Sequence, residues 1–130
     1  MNFQLGMVGM GSKNFRAAVH HFELAFKANP RMFSAANNLA WILATNKDEK
    51  IRDGKRAVEV AKSICEATQY KDYRFFSTLA AAYAEDDDFE NAVMITKKAI
   101  EMATAKGDEK TAGSMNQRLE LYESQKPLRD

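Results

Sequence analysis

The stretch LAAAYAEDDDFENAVMITKKAIEMA, Leu79 to Ala103, decides the fold. Leu79-Ala80 opens it and Tyr83 follows four residues after the leucine. Ala92-Val93 comes after an acidic break, and Ala99 lies seven residues beyond Ala92. Ala92, Ile95, Ala99 and Met102 recur at threes and fours, the spacing of one helix face. The break EDDDFE, Glu85 to Glu90, separates two such segments. Asp is favoured there, because its carboxylate caps a helix start and meets the positive end of the backbone dipole. The stretch therefore reads as a helix, a tight turn and a second helix. It lacks the alternating ligands, central glycine and distant bidentate Glu that a calcium loop requires.

The same pattern occurs twice upstream, in LGMVGMGSKNFRAAVHHFELAFKANP and LAWILATNKDEKIRDGKRAVEVAKSICEA. Leu5-Gly6 and Leu39-Ala40 match Leu79-Ala80; Ala18-Val19 and Ala57-Val58 match Ala92-Val93; Ala25 and Ile64 match Ala99. Leu5 to Leu39 is 34 residues and Ala57 to Ala92 is 35. Such a period predicts stacked helix pairs. Small side chains at Gly6, Ala40 and Ala80, and at Ala18, Ala57 and Ala92, let helix backbones approach closely. Asn14, Asp53 and Asp88 stand where a side-chain oxygen caps the second helix of each pair. The middle unit carries about five extra residues within TNKDEKIRDG, Thr45 to Gly54, read as a solvated loop. After Gly107-Asp108 a last helix presents Ala112, Met115, Leu119 and Tyr122 on one face, the form in which a stacked array closes.

These residues resemble the tetratricopeptide repeat family over nearly the whole chain. The first unit matches at Leu5, Gly6, Ala18, Phe22, Ala25 and Pro30. The second matches at Leu39, Ala40, Ala57, Ala61 and Ile64, and the third at Phe76, Leu79, Ala80, Tyr83, Ala92 and Ala99. Gly9 and Leu43 replace the usual Tyr, and no Pro closes the second and third units. The resemblance implies an all-α, right-handed superhelix of about three helix-turn-helix repeats (1–31, 32–69 and 71–105). A capping helix over 108–124 completes one domain, 1–124, and 125–130 form a tail. NNLAWILAT, RDGKRAVEVA, TLAAAYAE and RLELYESQKPLRD are similar to a recurrent C-terminal array of bacterial multi-repeat proteins, which implies Asp130 as a natural end.

The glycine cluster LGMVGMGSK, Leu5 to Lys13, raises a rival reading, a nucleotide-binding enzyme whose phosphate loop spans Gly6 to Gly11. That loop needs a buried strand before it and Lys directly after its last glycine. MNFQL makes a poor strand and Ser12 precedes Lys13, so Gly6 reads as a packing position, with Gly9 and Gly11 at the loosened end of the first helix. His20 and His21 point roughly 100° apart on a helix and cannot grip one metal. Cys65 shares an apolar face with Ala61 and Ile64 and reads as a buried thiol without a base. No catalytic residue, cofactor or metal site is expected.

Nineteen basic against 18 acidic residues leave no basic face for nucleic acid. No stretch is long enough to span a bilayer and no leader is visible, so the expected location is cytoplasmic by default. The remaining expectation is protein binding. By alignment with the family, the concave face carries Phe3, Met7 and Met10, then Ser34, Asn37, Trp41 and Thr45, then Arg74, Ser77, Ala81 and Glu85. An extended peptide or a helix would lie there, anchored at Trp41 and Arg74. Asn38 and Arg74 sit near the positions at which some family members clamp a peptide carboxylate. Phe3 and Met7 stand where that clamp takes Lys and Asn, so the clamp is expected to be missing. Phe3, Met7 and Met10 leave the first edge apolar, to be covered by a preceding helix or a second copy, which makes a self-assembling scaffold the alternative reading.

Overall fold

One joint is made three times. Asn14, Asp88 and Asp108 each accept, through Oδ1, the amide three residues on, at 3.2, 3.1 and 3.2 Å. A helix start leaves its first amides without partners, and these side chains satisfy one in each case. The residue just before each cap is left-handed: Lys13 (φ 61), Asp87 (φ 64) and Gly107 (φ 76). The capping residue's own amide then donates backwards, Asn14 to Gly9 at 2.7 Å, Asp88 to Tyr83 at 2.8 Å and Asp108 to Ala103 at 2.8 Å. One helix is closed and the next opened by adjacent bonds. Asp53 repeats the cap and the backward bond, without a left-handed residue before it, accepting the Arg56 amide at 3.1 Å and donating to Leu43 at 2.8 Å. Ten positions separate that donor and acceptor instead of five, so the extra residues bulge out while the joint itself is kept.

The computed structural model describes residues 1–130 and contains helices but no strands. The joints connect α1 (Asn2–Gly11) to α2 (Phe15–Ala28), α3 (Phe33–Thr45) to α4 (Gly54–Ala67), and α6 (Phe89–Ala105) to α7 (Glu109–Glu123). A 3₁₀ turn (Tyr73–Phe75) leads into α5 (Phe76–Glu85), which the Asp88 joint connects to α6. Each helix packs against its neighbours in sequence, and α3 also runs along α5, whereas α1 has little contact with α3.

The recurring small residues lie inside. Ala18, Ala40, Ala57, Ala80 and Ala92 are fully buried, as are Leu39 and Leu79. A Cβ on Gly6 would come within 2.5 Å of the Phe22 ring, so the packing reading of Gly6 is correct. Gly9 is not at a loosened end. It is buried, and a Cβ there would lie 2.8 Å from the Ala18 nitrogen and 3.0 Å from the Asn14 oxygen. Close approach of α1 to the start of α2 demands this glycine, and α1 runs unbroken through Gly6 and Gly9. Leu5 differs from its counterparts: 41% of its surface is exposed. On α7, Met115 and Tyr122 are buried and Ala112 and Leu119 half-buried, with the other faces in water.

The left-handed turns carry a prediction. A non-glycine residue in that region costs about 1–2 kcal/mol relative to glycine's freedom, somewhat less for Asp. Lys13→Gly is therefore expected to stabilise the fold by about 1 kcal/mol and raise the melting temperature by about 3 °C. Thermal unfolding followed by circular dichroism checks this; an unchanged or lower midpoint contradicts it.

Candidate functional site

The end of α3 is where the expected site residues meet something. A helix end leaves carbonyls unpaired. The Thr45 hydroxyl turns back along the helix and donates to the Trp41 carbonyl at 2.7 Å. The Thr45 carbonyl accepts the amide of Asp130 at 2.9 Å. Trp41 donates its indole N–H to Asp130 Oδ2 at 2.7 Å, and the Arg118 guanidinium of α7 stands 5.2 Å from the centre of the Trp41 ring. One residue earlier, Arg129 Nη1 reaches Glu85 Oε1 at 2.7 Å. Leu128 packs on the core.

Residues 125–130, expected as a tail, thus reach back from α7 to α3 and α5. The cause is local. Gln125 is left-handed (φ 58) and the Lys126 amide donates to the Leu121 carbonyl at 3.1 Å, repeating the turn that ends α1, α5 and α6. Pro127 then removes a donor and blocks another helical turn, and Leu128, Arg129 and Asp130 each find a partner.

Glu85 is held in advance. Its side chain is 17% exposed, and Oε2 accepts Arg52 Nε at 3.3 Å. Arg52 Nη1 donates in addition to the carbonyls of Asn46 at 2.8 Å and Lys47 at 3.2 Å, so one guanidinium pins the long loop and orients the carboxylate. Of the loop read as solvated, Lys47 to Lys50 and Asp53 are exposed, whereas Thr45 and Asn46 are buried. Gly54 presses on the same place, since a Cβ there would lie 2.9 Å from the Asp86 nitrogen and the Glu85 carbonyl carbon. Between the α1–α2 turn and the end of α3 lies a cavity of about 350 Å³. Met10, Phe15, Trp41 and Ile42 supply its apolar walls, and Lys13, Lys47 and Asp130 its charges.

The other expected site residues are distributed differently. Phe3 is half-buried with its ring centre 6.0 Å from that of Phe22. Met7 is exposed and Asn38 Nδ2 lies 3.4 Å from its sulfur. Asn37 has its Oδ1 buried without a partner. Ser34 is exposed, Ala81 is buried, and Ser77 donates to Met115 Sδ at 3.0 Å beneath α7. Arg74 is exposed in the 3₁₀ turn, and its guanidinium is engaged by Asp72 at 2.9 and 2.6 Å. Those bonds hold the Asp72 carboxyl below its ordinary value. Arg74 therefore stands apart from Trp41 and Glu85, at the opposite end of α5.

Arg52, Arg118, Leu128, Arg129 and Asp130 were not singled out by sequence reasoning. One signal was present: Pro127-Leu128 places an apolar residue in an otherwise polar end. Elsewhere, Cys65 is fully buried and burial pushes its thiol up to about 12. His21 Nδ1 is 3.0 Å from Asn2 Oδ1, and no group of three His, Cys, Asp or Glu residues could hold a metal ion. No helix is long and apolar enough to cross a membrane. Compared with known proteins, the chain matches no family model and no curated protein sequence.

Proposed function

We propose that this chain is a tetratricopeptide-type array, three helix pairs in a right-handed superhelix closed by α7, and that it is a non-catalytic protein-interaction module. Its groove over α3 and α5 receives a non-helical segment of a partner protein. The observation that carries this reading is the seating of Leu128 to Asp130. A peptide-like stretch meets a backbone acceptor at Thr45, an indole donor at Trp41 and a carboxylate at Glu85. The recurring joints and the buried small residues support the array, because they repeat one local geometry along the chain. A groove preset by Arg52 and Gly54 loses little freedom on binding, which favours affinity.

The test is capture of partners from a cell extract by the wild-type chain and by a Trp41→Ala, Glu85→Ala variant. Anchors of this kind typically contribute about 2 kcal/mol or more each, so recovery is expected to fall at least ~30-fold with helix content unchanged. Equal recovery contradicts the groove reading.

The scaffold alternative has its own support. Met1, Leu5, Met7 and Val8 leave α1 with an uncovered apolar edge, Val8 being 66% exposed, whereas Leu39 and Leu79 at the position of Leu5 are fully buried. Light scattering during size exclusion decides it: a monomer at high concentration argues against self-assembly through α1.

A further inference from the structure

Resting on the peptide-groove reading, we infer that the seat at Trp41 and Glu85 selects an unstructured partner segment in which a basic residue immediately precedes an acidic one after an apolar residue. We infer too that residues 127–130 occupy this seat in cis until such a segment displaces them. The indole N–H of Trp41 is a donor only and needs an oxygen acceptor, which Asp130 supplies at 2.7 Å. Glu85 is an acceptor only; one of its oxygens is used by Arg52, and the other faces Arg129 at 2.7 Å. The Thr45 carbonyl takes a backbone amide whatever the side chain, and so fixes register without choosing sequence.

Order matters because the two anchors stand on different helices. Successive side chains of an extended segment point to opposite sides. In this chain the cation goes to α5 and the carboxylate to α3. Reversing the two puts a carboxylate against Glu85 and a cation against Trp41, whose ring already faces Arg118. Lys13 and Lys47 line the adjoining cavity, so the surroundings of the carboxylate are cationic. The wrong order therefore meets like charge on both sides, and discrimination comes from repulsion as much as attraction. The seat also differs from a clamp built on Lys and Asn of the first unit: its carboxylate partner is an indole, and its selectivity for a cation resides in Glu85.

Closure in cis is expected to be modest. The Arg129–Glu85 pair is partly exposed, with side-chain exposures of 32% and 17%, and such pairs are weak. The short connection from α7 supplies an effective concentration on the order of millimolar, enough to outcompete a weak free peptide.

The test is a fluorescence-anisotropy titration with a labelled peptide copying Ser124 to Asp130. It is run against the full wild-type chain and against the full chain carrying Arg129→Ala and Asp130→Ala, with circular dichroism confirming equal helix content. The released variant is expected to bind saturably and at least ~10-fold more tightly than wild type. A peptide with the last two residues exchanged is expected to bind at least ~10-fold more weakly, and adding Glu85→Gln to the released variant is expected to reduce that preference, leaving the part that arises at Trp41. Equal affinity for both orders, or for the latched and released chains, overturns the inference. So does a wild-type dimer lost in the double variant, which would place the segment on a second copy. If a pool of unrelated unstructured peptides binds the released chain while the copied peptide does not, this inference fails and the groove reading stands. Binding of neither overturns both.

Discussion

Phe22→Ala is expected to destabilise the fold by about 3–5 kcal/mol, the cost of emptying a fully buried aromatic site, and to lower the melting temperature by at least ~10 °C. Phe22 is fully buried and its ring fills the space left by the absent side chain of Gly6, where a Cβ would lie 2.5 Å away. The ring also meets Phe3, at 6.0 Å between centres. Because α1 has little contact with α3, it depends on α2 for its place. Two results should therefore appear together: a large drop in global stability by urea unfolding, and fast amide exchange confined first to α1. A loss below about 1 kcal/mol would show that the Gly6–Phe22 contact does not anchor the helix, since even one buried methylene is worth nearly that much.

The second large effect is a fall in stability at alkaline pH. Burial pushes the Cys65 thiol from 9.0 up to about 12, with Asp72 and then Glu66 adding to the shift. Burial likewise pushes the Tyr122 hydroxyl from 10.0 up to about 12. Above the ordinary value the unfolded chain gives up a proton that the folded chain keeps. The folded state then binds more protons, and stability is lost as pH rises. Each group contributes a slope of about 1.4 kcal/mol per pH unit, Cys65 from about pH 9 and Tyr122 from about pH 10, so the loss reaches about 3–4 kcal/mol by pH 11.

Urea midpoints measured from pH 8 to 11 check this, and two variants divide the profile. Cys65→Ala is expected to be flat to pH 10. Tyr122→Phe is expected to keep the first limb and flatten the second, the remainder coming from Tyr70, Tyr73 and Tyr83, whose hydroxyls are also held above their ordinary value. The Tyr122 hydroxyl is buried without a hydrogen-bond partner. Removing it should therefore leave stability at pH 7 unchanged or raise it by about 1 kcal/mol. A flat wild-type profile to pH 11 would contradict the burial of both groups.

Much of the helical architecture could be read from the sequence because its determinants are local. An Asx residue three positions ahead of an amide caps a helix wherever it stands, and Asn14, Asp53 and Asp88 do so. Small residues in register are informative because only close helix approach uses them repeatedly. Gly9 was harder, because a glycine near a helix end reads as a breaker and as a close-contact position alike, and only the nearness of the Ala18 nitrogen decides between them. Leu5 resembles Leu39 and Leu79 in pattern, yet it is partly exposed where they are fully buried, because pattern does not report which neighbours a position meets.

The candidate site was legible only in part. Trp41, Thr45 and Glu85 came from alignment of the units, whereas their partners did not. Trp41 and Asp130 are 89 positions apart, and no periodicity connects them. Arg129 and Asp130 looked like a solvated end because short charged runs usually are. Arg74 failed to join the site for the opposite reason: Asp72, two residues away, captures the guanidinium before any distant group can. Local hydrogen bonds were visible in sequence as caps but not as competitors for a binding residue.

The seating of residues 127–130 against α3 and α5 can be measured at one atom. Trp41 is the chain's single tryptophan, so an amide-correlation NMR spectrum of the labelled protein contains one indole N–H signal. That signal is expected to exchange slowly with solvent in the wild type, and to shift and exchange faster in Asp130→Ala while the backbone spectrum of α1 and α2 stays put. An indole signal with the same position and exchange rate in both proteins would contradict the closed seat.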